Sequence, residues 1–111
     1  MMKMPPVEDV ETFKKSQLEG LKNNIKQFLL SKEFNPAFVG FDYLIVALMF
    51  TKQEIKKNKH PNTTYDIYPT VASKFNTTVT NVERNIRYLI QSSCYKGQTN
   101  KRVIYKLALE I

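Results

Sequence analysis

The sequence predicts an all-α fold: a compact helical domain of about five or six helices containing a helix-turn-helix. Three observations predict it. Apolar residues recur three and four positions apart along most of the chain, the period of a one-sided helix. Only 3 Gly and 5 Pro interrupt 111 residues, so helix breakers are few. Apolar residues make up 42% of the chain, enough for one hydrophobic core in a domain of this length.

Each element has its own signal. Pro5 and Pro6 mark the start of a first helix, and Glu8, Asp9 and Glu11 suit the positive end of its dipole. Val10 and Phe13 open an apolar face that Leu18, Leu21, Ile25, Phe28 and Leu29 continue. Gly20 leaves open a division of this stretch into two helices. "FNPAFVG" ends it, because the residue before Pro36 is pushed out of the α region. "FDYLIVALMF" is apolar nearly all round and reads as a central buried helix. A parallel strand is the alternative there, but no second strand pattern exists to pair with it. "TKQEIKKNKHPNTT" continues the helix, loses its apolar face and ends in a basic, exposed loop at His60–Pro61.

The stretch "YPTVASKFNTTVTNVERNIRYLIQ" holds two helical patterns. Ile67, Tyr68, Val71, Ala72 and Phe75 form one face, with Asp66 as N-cap and Pro69 in the first turn, where a missing N–H costs nothing. Val79, Val82, Ile86, Leu89 and Ile90 form the second. Thr80 and Glu83 have the spacing of a capping box, so that helix is expected to begin near Thr80. The break "NTTV" allows only a tight corner, which makes residues 66–92 a helix-turn-helix core. Ala72 is small where two helices must cross. Asn76 is the residue for a left-handed turn, and Val79 plugs the gap between the helices.

Charge narrows the function. Up to Phe50, six Lys balance six acidic residues; from Thr51 to Lys106, eleven Lys or Arg face three acids. A localised basic half favours a polyanionic partner, nucleic acid before anionic lipid. Opposite the buried stripe, the second helix of the pair presents Thr80, Asn81, Arg84, Arg87, Tyr88 and Gln91, a face without acids. Arginine reads guanine bidentately in the major groove, while Asn and Gln suit adenine. Glu83 lies to the side as a capping partner that could also accept from a cytosine amino group. Thr78, Thr80, Lys74, Lys96, Lys101 and Arg102 are the expected phosphate contacts. The partner read from this pattern is double-stranded DNA.

Other classes find little support. The longest apolar run, Tyr43 to Phe50, has eight residues, whereas a membrane span needs about 20. The start of the chain turns acidic where a signal peptide would be apolar, so a cytoplasmic location is expected. Cys94 is the one cysteine, which rules out an intrachain disulfide. It is read as a small buried or half-buried residue late in the second motif helix. His60 has no catalytic or metal-binding companions, and no phosphate loop, nucleophile elbow or carboxylate pair appears. Neither an enzyme, a metal site nor a cofactor is expected.

The quoted residues also resemble a known family. Tyr68-Pro69, Val71-Ala72, Lys74-Phe75-Asn76-Thr77-Thr78, Val82-Glu83-Arg84 and Ile86-Arg87 are similar to the signature of the C-terminal DNA-binding domain of the sporulation-initiation response regulator. "FVGFDYLIVALMF" resembles an upstream helix of that domain and "TNKRVIYKLALEI" its last helix, so the likeness covers roughly residues 21–111. The resemblance implies an all-helical transcription regulator whose second motif helix, about residues 80–92, enters the major groove. Glu83, Arg84 and Arg87 inherit base and backbone contacts from it. The last helix implies a homodimer on tandem or paired sites, through Val103, Ile104 and Leu107. Asn81 departs from the family's common Arg, which bears on site preference, and "SCYKGQ" is a shorter connection. The 20 residues before the likeness form an N-terminal extension, and no receiver domain is expected. The rival reading is a protein-interaction module that pairs with a full-length regulator without reading DNA.

Overall fold

The computed structural model describes residues 7–111, with side chains described from Leu18 onward. The helix start expected at Pro5 and Pro6, and the side chains of Val10 and Phe13, lie outside the described residues. The first helix, α1 (Val7–Ser31), runs unbroken through Gly20, so the possible division there does not occur. Ile25 and Leu29 on its inner face are fully buried, with Leu21 and Phe28 half-buried beside them. α1 closes with Glu33 at φ 65°, where the Phe34 N–H reaches back to the Leu29 carbonyl at 3.2 Å. This left-handed cap releases the chain before Pro36. Phe34 then turns into the core and stacks on Tyr95 at 5.6 Å.

The central element is α2 (Val39–Lys56), which packs against α1 and against all the helices that follow it. Phe41, Leu44, Ile45, Ala47 and Leu48 are at most 1% exposed, as expected of a helix apolar on nearly every side. No strand occurs among the described residues, and the strand alternative for this segment falls. Thr51 is buried as well, and its hydroxyl donates to the Ala47 carbonyl at 2.7 Å.

The motif pair begins earlier than its sequence suggests. Asn62 is the cap: its side-chain oxygen accepts from the N–H groups of Thr64 and Tyr65, each at 2.9 Å. Asp66 instead reaches back to accept from the Asn62 N–H at 2.7 Å, so the expected Asp66 N-cap is corrected. A wide π-helical turn, Thr63–Ile67, then leads directly into α3 (Tyr68–Lys74). The wide turn suits Pro69. The ring would clash with the carbonyl of an ordinary preceding turn and cannot donate to it.

α3 ends as the sequence proposes. Asn76 sits at φ 52°, and the Thr77 N–H donates to the Ala72 carbonyl at 2.9 Å, closing a Schellman turn. α4 (Val79–Gln91) follows at once, with Thr78 as N-cap accepting from the Asn81 N–H at 3.1 Å. The capping box expected at Thr80 and Glu83 does not form. The tight turn places Thr78 in extended geometry two residues sooner, and Glu83 pairs with Arg87 instead. Cys94 lies beyond the end of α4 and is exposed, which corrects its reading as a buried residue late in that helix. The last helix, α5 (Asn100–Glu110), is capped by Thr99, which accepts from the Arg102 N–H at 3.2 Å.

Two glycines in helices make opposite predictions. At Gly40, an added Cβ would lie 2.7 Å from the Asn85 carbonyl carbon and closer still to its oxygen, so α2 and α4 touch backbone to backbone. At Gly20 an added Cβ meets nothing within 4 Å. Gly40→Ala should therefore lower stability by about 1–3 kcal/mol, as overpacking does. Gly20→Ala should raise it by roughly 0.5–1 kcal/mol through helix propensity. Urea denaturation of both variants measures the two shifts, and equal tolerance would contradict the close crossing.

Candidate nucleic-acid interface

α4 buries Val82, Ile86, Leu89 and Ile90 against α2, α3 and α5, and this fixes which of its sides faces outward. Thr80, Arg84, Arg87 and Tyr88 are exposed along that outer side, at spacings of four, three and one. Arg84 makes no hydrogen bond or ion pair with the described residues, so its five donors are open to a partner. The Arg87 guanidinium donates to Glu83 Oε1 at 2.8 Å and lies 5.9 Å from the centre of the Tyr88 ring. Glu83 is therefore neutralised locally, and the face carries a net positive charge.

Two of the six residues assigned to this face are committed elsewhere. Asn81 is half-buried, and its amide donates to the Tyr43 hydroxyl at 3.2 Å and to the Thr77 hydroxyl at 2.9 Å. Its oxygen accepts from the Asn85 amide at 2.9 Å. Asn81 thus ties the start of α4 to α2 and to the turn. Gln91 grips the following loop, accepting from the Gly97 N–H at 2.9 Å and donating to the Gln98 carbonyl at 3.1 Å. Gly97, at φ 92°, gives that loop its reversal.

The basic and hydroxyl groups read as phosphate contacts are all exposed: Lys74 at the end of α3, Thr78 and Thr80 at the start of α4, Lys96 in the connecting loop, and Lys101 and Arg102 in the first turn of α5. The Thr78 hydroxyl already serves as the cap of α4. Val103, Ile104 and Leu107 are fully buried in the chain's own core, so their expected role as dimer contacts is corrected. An amphipathic stripe shows that a face must be covered. Here α2 covers it.

Behind this face, Asn100 and Thr63 escaped the sequence reading, and Tyr68 was expected only as part of a buried stripe. Asn100 is 8% exposed, and its amide donates to the Tyr68 hydroxyl at 3.1 Å and to the Glu83 carbonyl at 3.0 Å. It latches α5 to both helices of the motif pair. Thr63 and Tyr68 lie beside it, 6% and 5% exposed. The one signal for the group is an Asn directly after the capping Thr99, a place where an exposed residue is the usual expectation.

Burial raises the Tyr68 hydroxyl above its ordinary pKa of 10.0, with the donated Asn100 hydrogen bond opposing the shift. An unfolded chain gives up this proton before the folded one does. Stability is therefore full below pH 10 and falls as the pH rises through the tyrosine range. Tyr68→Phe should flatten part of that alkaline decline, read from urea midpoints between about pH 8 and 11. A decline of unchanged slope would contradict it. The same site supplies a second expectation. Asn81→Ala should cost about 1–3 kcal/mol by leaving the Tyr43 and Thr77 hydroxyls short of a partner, and thermal unfolding measures it.

Among the described residues, no group of three or more His, Cys, Asp or Glu side chains is placed to hold a metal ion, and no helix is long and apolar enough to cross a membrane. A family model described as the C-terminal region of the sporulation initiation factor Spo0A matches residues 25–108 of the chain. No curated protein matches it.

Proposed function

The chain belongs to the Spo0A C-terminal family, and from that premise we propose that it is a sequence-specific duplex-DNA-binding transcription regulator related to sporulation control. The observation that carries the reading is the outer side of α4. It presents Arg84 free and Arg87 beside it, without an unpaired acid, on a helix held by a core on its other side. A major groove about 12 Å wide admits one helix, and arginine fits the paired acceptors of guanine. Arg84 is the principal base reader in this proposal, with Arg87 and Tyr88 further along the groove. Glu83 orients Arg87. Asn81 and Gln91 shape the support for that face rather than touch bases.

Lys74, Lys96, Lys101 and Arg102 supply the sequence-independent attraction to phosphates. With DNA as the target, the cytoplasm is the expected place of action. Pairing on tandem or neighbouring sites falls to the exposed side of α5, where Leu109 is 71% exposed. A second reading, a protein-interaction module, is favoured by one observation. Phe38, Val39 and Tyr88 are 36%, 56% and 55% exposed and line an open groove of about 300 Å³ beside the reading side.

Selection of bound sequences from a random duplex pool tests the proposal. The native chain should enrich one motif, and Arg84→Ala should cost about 1–3 kcal/mol and relax preference at one base pair. Retention without any enriched motif would sink the base-reading role and move the weight to the protein-interaction reading.

A further inference from the structure

Between the inner flank of α4 and the first turn of α5 lies a cleft of about 470 Å³. Part of its lining consists of hydrogen-bond donors without an acceptor among the described residues. Thr63 lines it, is 6% exposed, and its hydroxyl has no hydrogen-bond partner among the described residues. Tyr68 lines it too, at 5% exposed; its oxygen accepts from Asn100, and its own proton has no acceptor among the described residues. At the head of α5, the Thr99 cap takes the N–H of Arg102 by its side chain and that of Val103 by its carbonyl. The N–H groups of Asn100 and Lys101 are left without an acceptor among the described residues.

Two cations border these donors, Arg87 from α4 and Lys101 from α5. The single acid in the lining is Glu83, and Arg87 neutralises it at 2.8 Å. Buried hydroxyls without partners are rare in folded proteins and ask for an explanation. Unfilled backbone donors at a helix start carry a positive potential of their own. The combination suits one ligand chemistry, a phosphate oxyanion that accepts several hydrogen bonds at once.

We propose that this cleft is a phosphate-binding site formed by Thr63, Tyr68, Lys101 and the first turn of α5, and that its occupant is a backbone phosphodiester of the DNA that α4 reads. The inference rests on the DNA-binding reading of α4 and deepens it. Arg87 borders both the cleft and the outer side of α4, so a duplex lying on α4 brings a phosphate strand past the cleft mouth. Seating that strand fixes the register of the helix in the groove without reading sequence.

The test uses the full chain and two variants. Thr63→Val keeps shape and charge and removes only the hydroxyl. Lys101→Gln removes one charge. Thr63→Val should weaken binding to every duplex by a common factor of about ten, with melting temperature unchanged or raised, since it removes an unsatisfied buried hydroxyl. Lys101→Gln should lower the slope of log affinity against log salt by about one. Native-like affinity in either variant, or a loss confined to one base pair, would overturn the site.

A titration with inorganic phosphate, following the Asn100 and Lys101 amide resonances, separates this idea from the reading it rests on. If the native chain binds no duplex yet those amides shift, and Thr63→Val abolishes the shift, the cleft takes free phosphate and the DNA occupant is overturned. If the native chain binds duplex and neither variant weakens it, the DNA reading stands and the cleft proposal falls.

Discussion

The architecture depends on the contact between Gly40 and the backbone of Asn85. Helices with side chains at their crossing lie 8–10 Å apart, and here a Cβ on the α2 residue would overlap the α4 carbonyl. The missing side chain lets α4 settle deep against α2. From that seat, Val82, Ile86, Leu89 and Ile90 reach the common core, and the opposite side of α4 is held outward. The orientation of Arg84 and Arg87 is thus a consequence of a position more than forty residues earlier in the chain. A rigid element presenting a few side chains is what groove recognition needs, because each base contact depends on a geometry of a few tenths of an ångström.

Polar side chains around α4 divide into two sets by how far they lie from the buried stripe. Those on its flanks are spent on hydrogen bonds: Asn81 ties the start of the helix to α2 and to the turn, Asn85 holds Asn81 from within the helix, and Gln91 fixes its end to the loop before α5. Asn100 performs the same office from α5 by holding the Glu83 carbonyl. Those furthest from the stripe, Thr80, Arg84, Arg87 and Tyr88, stay exposed. The core sets how α4 is turned, and the flanking amides stop it from rocking.

Much of this was legible in the sequence, and the reasons differ by element. The all-helical fold, the buried α2 and the corner at Asn76 rest on short-range periodicity and on the backbone tolerance of one residue type, both of which survive without tertiary information. The caps were less legible. Thr80 and Glu83 have the capping-box spacing, but Thr78 is equally able to cap by its hydroxyl alone, and the geometry of the preceding turn selects it. Asp66 was misread in the same way, because Asn62 competes for the cap and the π-helical turn before Pro69 leaves no mark in hydrophobic spacing. A helical projection places Asn81 and Gln91 near the outer side. It carries no information about Tyr43, thirty-eight residues earlier, which draws Asn81 inward. The stripe Val103, Ile104 and Leu107 was legible as a buried face, but periodicity cannot distinguish a core from a subunit interface.

The most direct test of the account asks whether Arg84 meets a guanine edge in the major groove. Starting from a duplex that the chain binds, each guanine is replaced in turn by 7-deazaguanine, which lacks the N7 acceptor and leaves pairing intact. Affinities are measured for the native chain and for Arg84→Ala. The account predicts that one guanine shows a loss of about tenfold with the native chain and almost none with the variant, the non-additivity of two groups in contact. Losses that are equal in both proteins at every guanine, or no loss anywhere, would contradict a base-reading α4.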